Sequence, residues 1–135
     1  MKEEAKNYYK QGYSCSESII KAAIDKGIAD ANLLSVATVF SGGMSSGRLC
    51  GAIAGAQMVL GCNFGKENSK GNPELSRQKA KQFIEEFKKK HKATCCRVLT
   101  ARFDMSSVER KQNCAILVEE CAEILEKLVG EKIHA

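Results

Sequence analysis

The stretch SGGMSSGRLCGAIAGAQMVLG, residues 41–61, joins a glycine-rich turn to an apolar helix that we expect from about Arg48 to Leu60. Gly47, Gly51 and Gly55 recur every four residues, which places them on one face of that helix. Glycine costs about 1 kcal/mol per residue in a helix interior, so three on one face need an explanation. Small residues let a second backbone come close. We therefore predict tight packing around Cys50, or a helix that approaches a cofactor at Gly51 and Gly55.

The remaining patterns predict helices and no convincing strand. Ser14 and Glu17 form a capping box, and Ser106 and Glu109 form another. Apolar spacing predicts further helices over residues 3–11, 14–27, 31–40, 73–91, 94–99 and 108–129. No linker or repeat divides the chain. We predict an all-α fold, a single-domain helical bundle of about five to seven helices over residues 1–135.

Composition points to cysteine chemistry in a soluble protein. The chain has 135 residues, 44% of them hydrophobic and 27% charged, and seven are cysteines. Its N-terminal segment carries charged residues from the second position onward, unlike a secretory signal, and the apolar run at 49–60 is too short to span a membrane. These features predict a cytoplasmic protein, where structural disulfides are rare. The cysteines are then expected to serve metal or redox chemistry.

The net charge of +5 comes partly from one basic run, Lys88 to Lys92. Such a run can bind nucleic acid or anionic lipid. It falls at the end of an amphipathic helix, where lysines complement the helix dipole. We therefore interpret it as a solvated helix end and expect no nucleic-acid partner.

Two cysteines lie at predicted helix starts. Cys15 follows the cap residue Ser14, and Cys50 follows the glycine-rich turn. Free backbone N–H groups and the helix dipole favour an anion there, and the thiolate is the reactive and metal-binding form of cysteine. Both positions suit a partly ionised thiol. The alternative is that each is a small buried hydrophobe.

The other cysteines form two groups. Cys95 and Cys96 are adjacent near a short helix and point in different directions, so one of them is expected at any shared site. Cys114 and Cys121 are seven residues apart on the apolar face of the last helix. Cysteines on such a face usually pack, yet they also lie where other cysteines could meet them.

Taken together, these segments resemble the C_GCAxxG_C_C family of redox-active proteins. The resemblance rests on the GYxCSE context of Cys15, on CGAIAG at residues 50–55, on Cys96-Arg97-x-Leu99 and on Cys114. It covers nearly the whole chain. It implies that Cys15, Cys50, Cys96 and Cys114 are the four family cysteines, and that Cys62, Cys95 and Cys121 are additional.

Two chemistries need four cysteines that converge. In thiol–disulfide exchange, Cys15 and Cys50 would attack, while Cys96 and Cys114 would resolve or form a second pair. Alternatively, the same four would be ligands of an iron–sulfur cluster or, as a poorer fit, of zinc. Neither His91 nor His134 is expected to join them. A non-redox helical binding module stays open, as does a homodimer through the small-residue face. Enzymatic activity as a thiol–disulfide oxidoreductase and the redox partner are left undecided.

Overall fold

The structure is a computed structural model that describes the backbone of residues 1–104 and 106–134 and the side chains of residues 1–104 and 106–130. In this part of the chain, seven α-helices carry the fold and the β-type pairing is one isolated bridge, so the predicted all-α class is confirmed. The helices are α1 (Lys2–Lys10), α2 (Cys15–Asp25), α3 (Leu33–Ala37), α4 (Gly51–Phe64), α5 (Glu74–His91), α6 (Cys96–Leu99) and α7 (Val108–His134).

The core forms around α4, which is buried on almost all sides. A helix that is apolar all round belongs at the centre of a bundle, and α4 packs against α2, α5 and α7. The largest fully buried side chains are Phe83 and Phe87 of α5, which meet apolar residues of α2 and α7 in one hydrophobic cluster. Helix α1 closes the bundle against α2 and α7.

Two glycines of α4 allow α2 to approach closely, as the sequence predicted. A Cβ atom added at Gly51 would lie 2.5 Å from the Cys15 Sγ atom. One added at Gly55 would lie 2.9 Å from the backbone oxygen of Ser16. The expectation for Gly47 is wrong, because α4 begins at Gly51 and Gly47 lies in the preceding turn with a φ of +70°.

The predicted cap of α2 is confirmed. The Ser14 hydroxyl accepts a hydrogen bond from the Glu17 backbone N–H at 3.3 Å, and the Glu17 carboxylate accepts one from the Ser14 N–H at 2.9 Å. The second Glu17 oxygen accepts a hydrogen bond from the Thr38 hydroxyl at 2.6 Å. The cap therefore fixes both the start of α2 and its contact with the segment after α3.

The segment before α4 forms a turn whose backbone angles are left-handed, whereas those of the helices are right-handed. Gly42, Gly43, Met44 and Ser45 all have left-handed backbone angles. A Cβ at Gly43 would lie 2.4 Å from the Arg48 nitrogen, so this position requires glycine. Met44 and Ser45 hold the same conformation with side chains, which is uncommon for such residues.

Several predicted boundaries are corrected. The helix predicted over 31–40 is the shorter α3 followed by a 3₁₀ turn at Thr38–Phe40. The short helix predicted over 94–99 begins later, because the Thr94 backbone pairs with Cys50 and Cys95 is the cap of α6. The hydroxyl that caps α7 belongs to Ser107 rather than Ser106, since it accepts from the Arg110 N–H at 3.1 Å.

The ends of the two longest helices differ in how well the sequence predicted them. The basic run forms the last turn of α5, as expected. Gly130 does not end α7, which continues to His134. No helix in the described part of the chain is both long and apolar enough to cross a membrane.

Candidate functional site

Four cysteines from four separate segments line one small cavity. Cys15 begins α2, Cys50 precedes α4, Cys96 begins α6 and Cys114 lies on α7. The cavity has a volume of about 20 Å³, and its remaining walls are apolar or small. They come from Gly51, Ala52, Leu99, Thr100 and Leu117. The structure thus brings together the four residues that the sequence singled out.

A short antiparallel bridge sets Cys50 and Cys96 on the same side. Leu49 pairs with Cys95, the Cys50 N–H donates to the Thr94 oxygen at 2.8 Å, and the Cys96 N–H donates to the Arg48 oxygen at 2.6 Å. Side chains alternate along extended backbone, so the neighbours of the paired residues share a face. Cys95 consequently points away and is exposed, whereas Cys96 lines the cavity.

Cys15 is held against α4 by its contact with Gly51. Burial raises the pKa of the Cys15 thiol, while hydrogen bonds from the backbone N–H groups of Gly42 and Ser16 act in the opposite direction. The net shift is upward. The expectation that the helix start would keep this thiol partly ionised is therefore wrong, since loss of hydration outweighs the backbone donors.

Cys50 is the most deeply buried of the four, with 5% of its surface exposed. Burial, followed by the charge of an ionised Cys15, raises the pKa of the Cys50 thiol to about 12. The backbone N–H groups of Ile53 and Ala52 oppose this only in part. A thiol with this pKa is almost entirely protonated near neutral pH, which disfavours Cys50 as an attacking group.

Cys114 has two partners that favour its ionised form. Burial raises the pKa of its thiol, and the nearby positive charge of Arg110 and a hydrogen bond with the Tyr9 side chain oppose this rise without reversing it. Burial and then the charge of Cys114 raise the pKa of Tyr9 well above its ordinary value. The hydroxyl therefore stays protonated and can donate a hydrogen bond to the Cys114 sulfur. Sequence reasoning missed Tyr9, because nothing local in α1 indicates a partner on α7.

The remaining cysteines lie outside the small cavity. Cys121 is completely buried, and burial raises its pKa well above the ordinary value, with the charges of Cys50 and Cys15 adding to the effect. It therefore lies behind the site as a packing residue. Cys62 is exposed at the far end of α4.

A second, open cavity adjoins the first at Cys96. Its volume is about 680 Å³, and Cys96 and Thr100 line both cavities. The wider cavity is bounded by the left-handed turn, by α6 and the loop after it, and by the start of α7. Its walls include Arg97 and Arg110. Cys96 is consequently the cysteine that both the interior of the site and a molecule from outside can reach.

The donor set suits a metal, but its arrangement does not. Four thiolates could bind an iron–sulfur cluster or zinc. Within the described residues, however, no group of three or more His, Cys, Asp or Glu side chains is arranged to hold a metal ion. The 20 Å³ cavity accommodates about one water molecule, far less than a cluster needs. The residues as placed therefore do not fit either group.

The two histidines lie elsewhere, as far as they are described. His91 contacts Glu120 and stacks on Phe87 at a centroid distance of 4.6 Å. It lines neither cavity. The side chain of His134 lies outside the described residues.

Comparison with known protein families identifies a match over most of the chain. Residues 13–128 match the family described as "Putative redox-active protein (C_GCAxxG_C_C)". This segment contains all four cavity cysteines and most of the bundle, so the chain belongs to the C_GCAxxG_C_C family. No curated protein and no solved structure matches the chain.

Proposed function

We propose that the protein is a thiol–disulfide oxidoreductase whose active thiols are Cys15, Cys50, Cys96 and Cys114. The observation that carries this proposal is their convergence on one apolar cavity from four separate segments. Packing alone does not require four cysteines from separate segments to line the same cavity. The family description as redox-active supports the same chemistry.

The proposed reaction transfers two electrons from a pair of thiols to a disulfide. The Cys96 thiolate attacks one sulfur of the substrate disulfide, forms a mixed disulfide and releases the other sulfur as a thiolate. A second cysteine then attacks the Cys96 sulfur and releases the remaining half of the substrate. Two protein thiols are oxidised to one disulfide, one external disulfide is reduced to two thiols, and two protons pass from the protein to these products.

Cys96 is assigned the attacking role because of its position. It borders the open cavity, whereas Cys50 lines only the inner one and is almost fully buried. This differs from the expectation that Cys15 and Cys50 attack. The assignment of Cys96 rests on the access of a substrate to its sulfur, since an attacking thiol must reach the substrate before its pKa matters.

Cys114 is the proposed resolving thiol. Burial raises the pKa of its thiol overall, and the Arg110 and Tyr9 partners offset part of this rise, which favours the thiolate that the second step requires. Cys96 and Cys114 line the same small cavity, so the second thiol can reach the first. Cys15 and Cys50 line the same small cavity and are the two cysteines that remain, so they would form a second, inner pair.

The test is disulfide mapping by mass spectrometry after mild oxidation of the reduced protein. We expect one predominant disulfide, between Cys96 and Cys114. Cys96→Ser should abolish the mixed disulfide with an added small disulfide, and Cys114→Ser should make that mixed disulfide accumulate. If oxidation closes no disulfide among the four cysteines, the proposal fails and the cysteines serve packing.

The chain supplies a matched control for each variant. Cys95→Ser is the control for Cys96→Ser, because Cys95 is the chain neighbour of Cys96 but is exposed and points away from the site. Cys62→Ser removes another exposed thiol, on α4. Both should leave the Cys96–Cys114 disulfide and its rate of formation unchanged.

A further inference from the structure

We propose that the open cavity beside Cys96 binds a small disulfide that carries carboxylate groups, the oxidised form of a low-molecular-weight thiol. This inference rests on the proposed function and adds the class of substrate. It is carried by the cavity itself, which joins the site at Cys96 and has the chemistry of an anion-binding pocket.

The charge of the cavity favours an anion. Arg97 and Arg110 both line it, and none of the described residues that line it is acidic. The Arg97 guanidinium donates a hydrogen bond to the Ser46 carbonyl oxygen at 3.3 Å, which holds the side chain over the left-handed turn. Guanidinium groups bind carboxylates through strong, charge-assisted hydrogen bonds.

The turn that Arg97 contacts supplies neutral polar residues to the cavity wall. It runs from Ser41 to Gly47 and includes Ser45 and Ser46. Phe103 adds an apolar surface. Small-molecule sites typically combine apolar surface with a few polar or charged groups that orient the ligand.

The size of the cavity selects a small molecule. Its volume of about 680 Å³ falls within the range of roughly 300–1,000 Å³ that ligand pockets occupy. Arg97 and Cys96 both line this cavity, so a carboxylate held by Arg97 would leave the disulfide of the same molecule within reach of the Cys96 sulfur. Attack there releases one half of the substrate as a thiolate and leaves the other half on Cys96.

The test compares an anionic and a neutral disulfide on the reduced full-length chain. The probes are 5,5′-dithiobis(2-nitrobenzoate), which carries two carboxylates, and 4,4′-dithiodipyridine, which carries none at neutral pH. The rate of adduct formation at Cys96 is followed by peptide mass spectrometry. The ratio of the two rates is the readout, because a change in the intrinsic reactivity of Cys96 alters both rates and largely cancels.

Arg97→Gln should lower this ratio by about fivefold, the size of effect that one exposed ion pair can supply. Arg77→Gln on α5 removes the same charge away from the cavity and should leave the ratio unchanged. An independent variant, Ser46→Asp, adds a negative charge to the cavity wall and should also lower the ratio, whereas Ser46→Asn should not. Thermal unfolding of each variant checks that the fold is intact.

The outcomes separate the two proposals. If Cys96 reacts with both probes and neither Arg97→Gln nor Ser46→Asp changes the ratio, the carboxylate-bearing substrate is ruled out and the oxidoreductase proposal stands. If Cys96 reacts with neither probe, the oxidoreductase proposal itself fails.

Discussion

Gly51 sets the distance between the Cys15 thiol and α4. Its hydrogen takes the place where a Cβ atom would meet the Cys15 sulfur at 2.5 Å and the Phe40 carbonyl oxygen at 2.9 Å. The second contact is backbone, which cannot rotate away. The glycine therefore shapes the site without any chemistry of its own.

We expect Gly51→Ala to destabilise the protein by about 1–3 kcal/mol, because overpacking a close contact forces the backbone apart. Chemical denaturation measures this change. Gly61→Ala is the matched control in the same helix, since a Cβ at Gly61 meets nothing within 4 Å. It should stabilise the protein by up to about 1 kcal/mol through helix propensity. Equal effects at the two positions would contradict the predicted role of Gly51.

The sequence predicted some single residues well and others not at all. Cys96 was preferred to Cys95 from the Arg-x-Leu that follows it, and the bridge at Leu49 gives the physical reason why Cys96 faces inward. Tyr9 could not be predicted, because its partner Cys114 is more than a hundred residues away. The chemical roles of the four cysteines stay predictions.

Among the structural elements, the start of α2 is determined locally and was predicted correctly. The hydrogen bond that the Ser14 backbone N–H donates to the Glu17 carboxylate, followed by the one from the Thr38 hydroxyl, lowers the pKa of the Glu17 carboxyl below its ordinary value of 4.5. A carboxyl with a lowered folded-state pKa stabilises the fold above that ordinary value. The stabilisation is lost as the pH falls through the folded-state pKa.

Glu17→Gln should therefore cost up to about 1 kcal/mol of stability at pH 7, because glutamine can still accept the Ser14 hydrogen bond but lacks the negative charge near the helix N-terminus. The difference between the variant and the wild type should shrink as the pH falls below 4.5 and through the folded-state pKa of the Glu17 carboxyl, where the wild-type side chain gains a proton. Glu67→Gln removes an exposed charge in the loop after α4 and should show neither effect. A difference for Glu17→Gln that is independent of pH would mean that its charge plays no part.

The turn before α4 is the element that the sequence predicted least completely. Its glycines indicated a turn, but the left-handed angles at Met44 and Ser45 carry no sequence signal, since both residues ordinarily avoid them. The same turn forms one wall of the open cavity. Its strain is therefore located at the proposed substrate site, a common position for backbone strain.

Met44 allows this strain to be measured. Its side chain is 45% exposed and its φ is +60°, so it loses little packing when shortened. Met44→Gly should be more stable than Met44→Ala by about 1 kcal/mol, because only glycine adopts the left-handed conformation without a steric penalty. Thermal unfolding of the two variants compares them directly. If Met44→Ala is the more stable, the turn is not left-handed at this residue.

At the scale of the whole molecule, the convergence of the four cysteines depends on helix packing. The order of the cysteines along the chain suggested that they belong together, but their spacing contains no information on how α2, α4, α6 and α7 meet. That information lies in the packing of Gly51 and Gly55 on α2 and in the bridge at Leu49. The single domain, the cytoplasmic location and the homodimer stay predictions.

The proposed Cys96–Cys114 disulfide would link α6 to α7 and should make the oxidised protein more stable than the reduced one. The loop that it closes is slightly longer than a 15-residue loop, for which chain entropy gives about 3 kcal/mol. For a domain of this size, that corresponds to a rise in Tm of roughly 10 °C. Calorimetry of the reduced and oxidised forms measures the difference. Cys114→Ser should abolish it, and Cys62→Ser should retain it.

A difference in stability that survives in Cys114→Ser but disappears in Cys15→Ser would assign the disulfide to the inner pair, Cys15 and Cys50. In that case the disulfide first formed at Cys96 would be exchanged for one between Cys15 and Cys50.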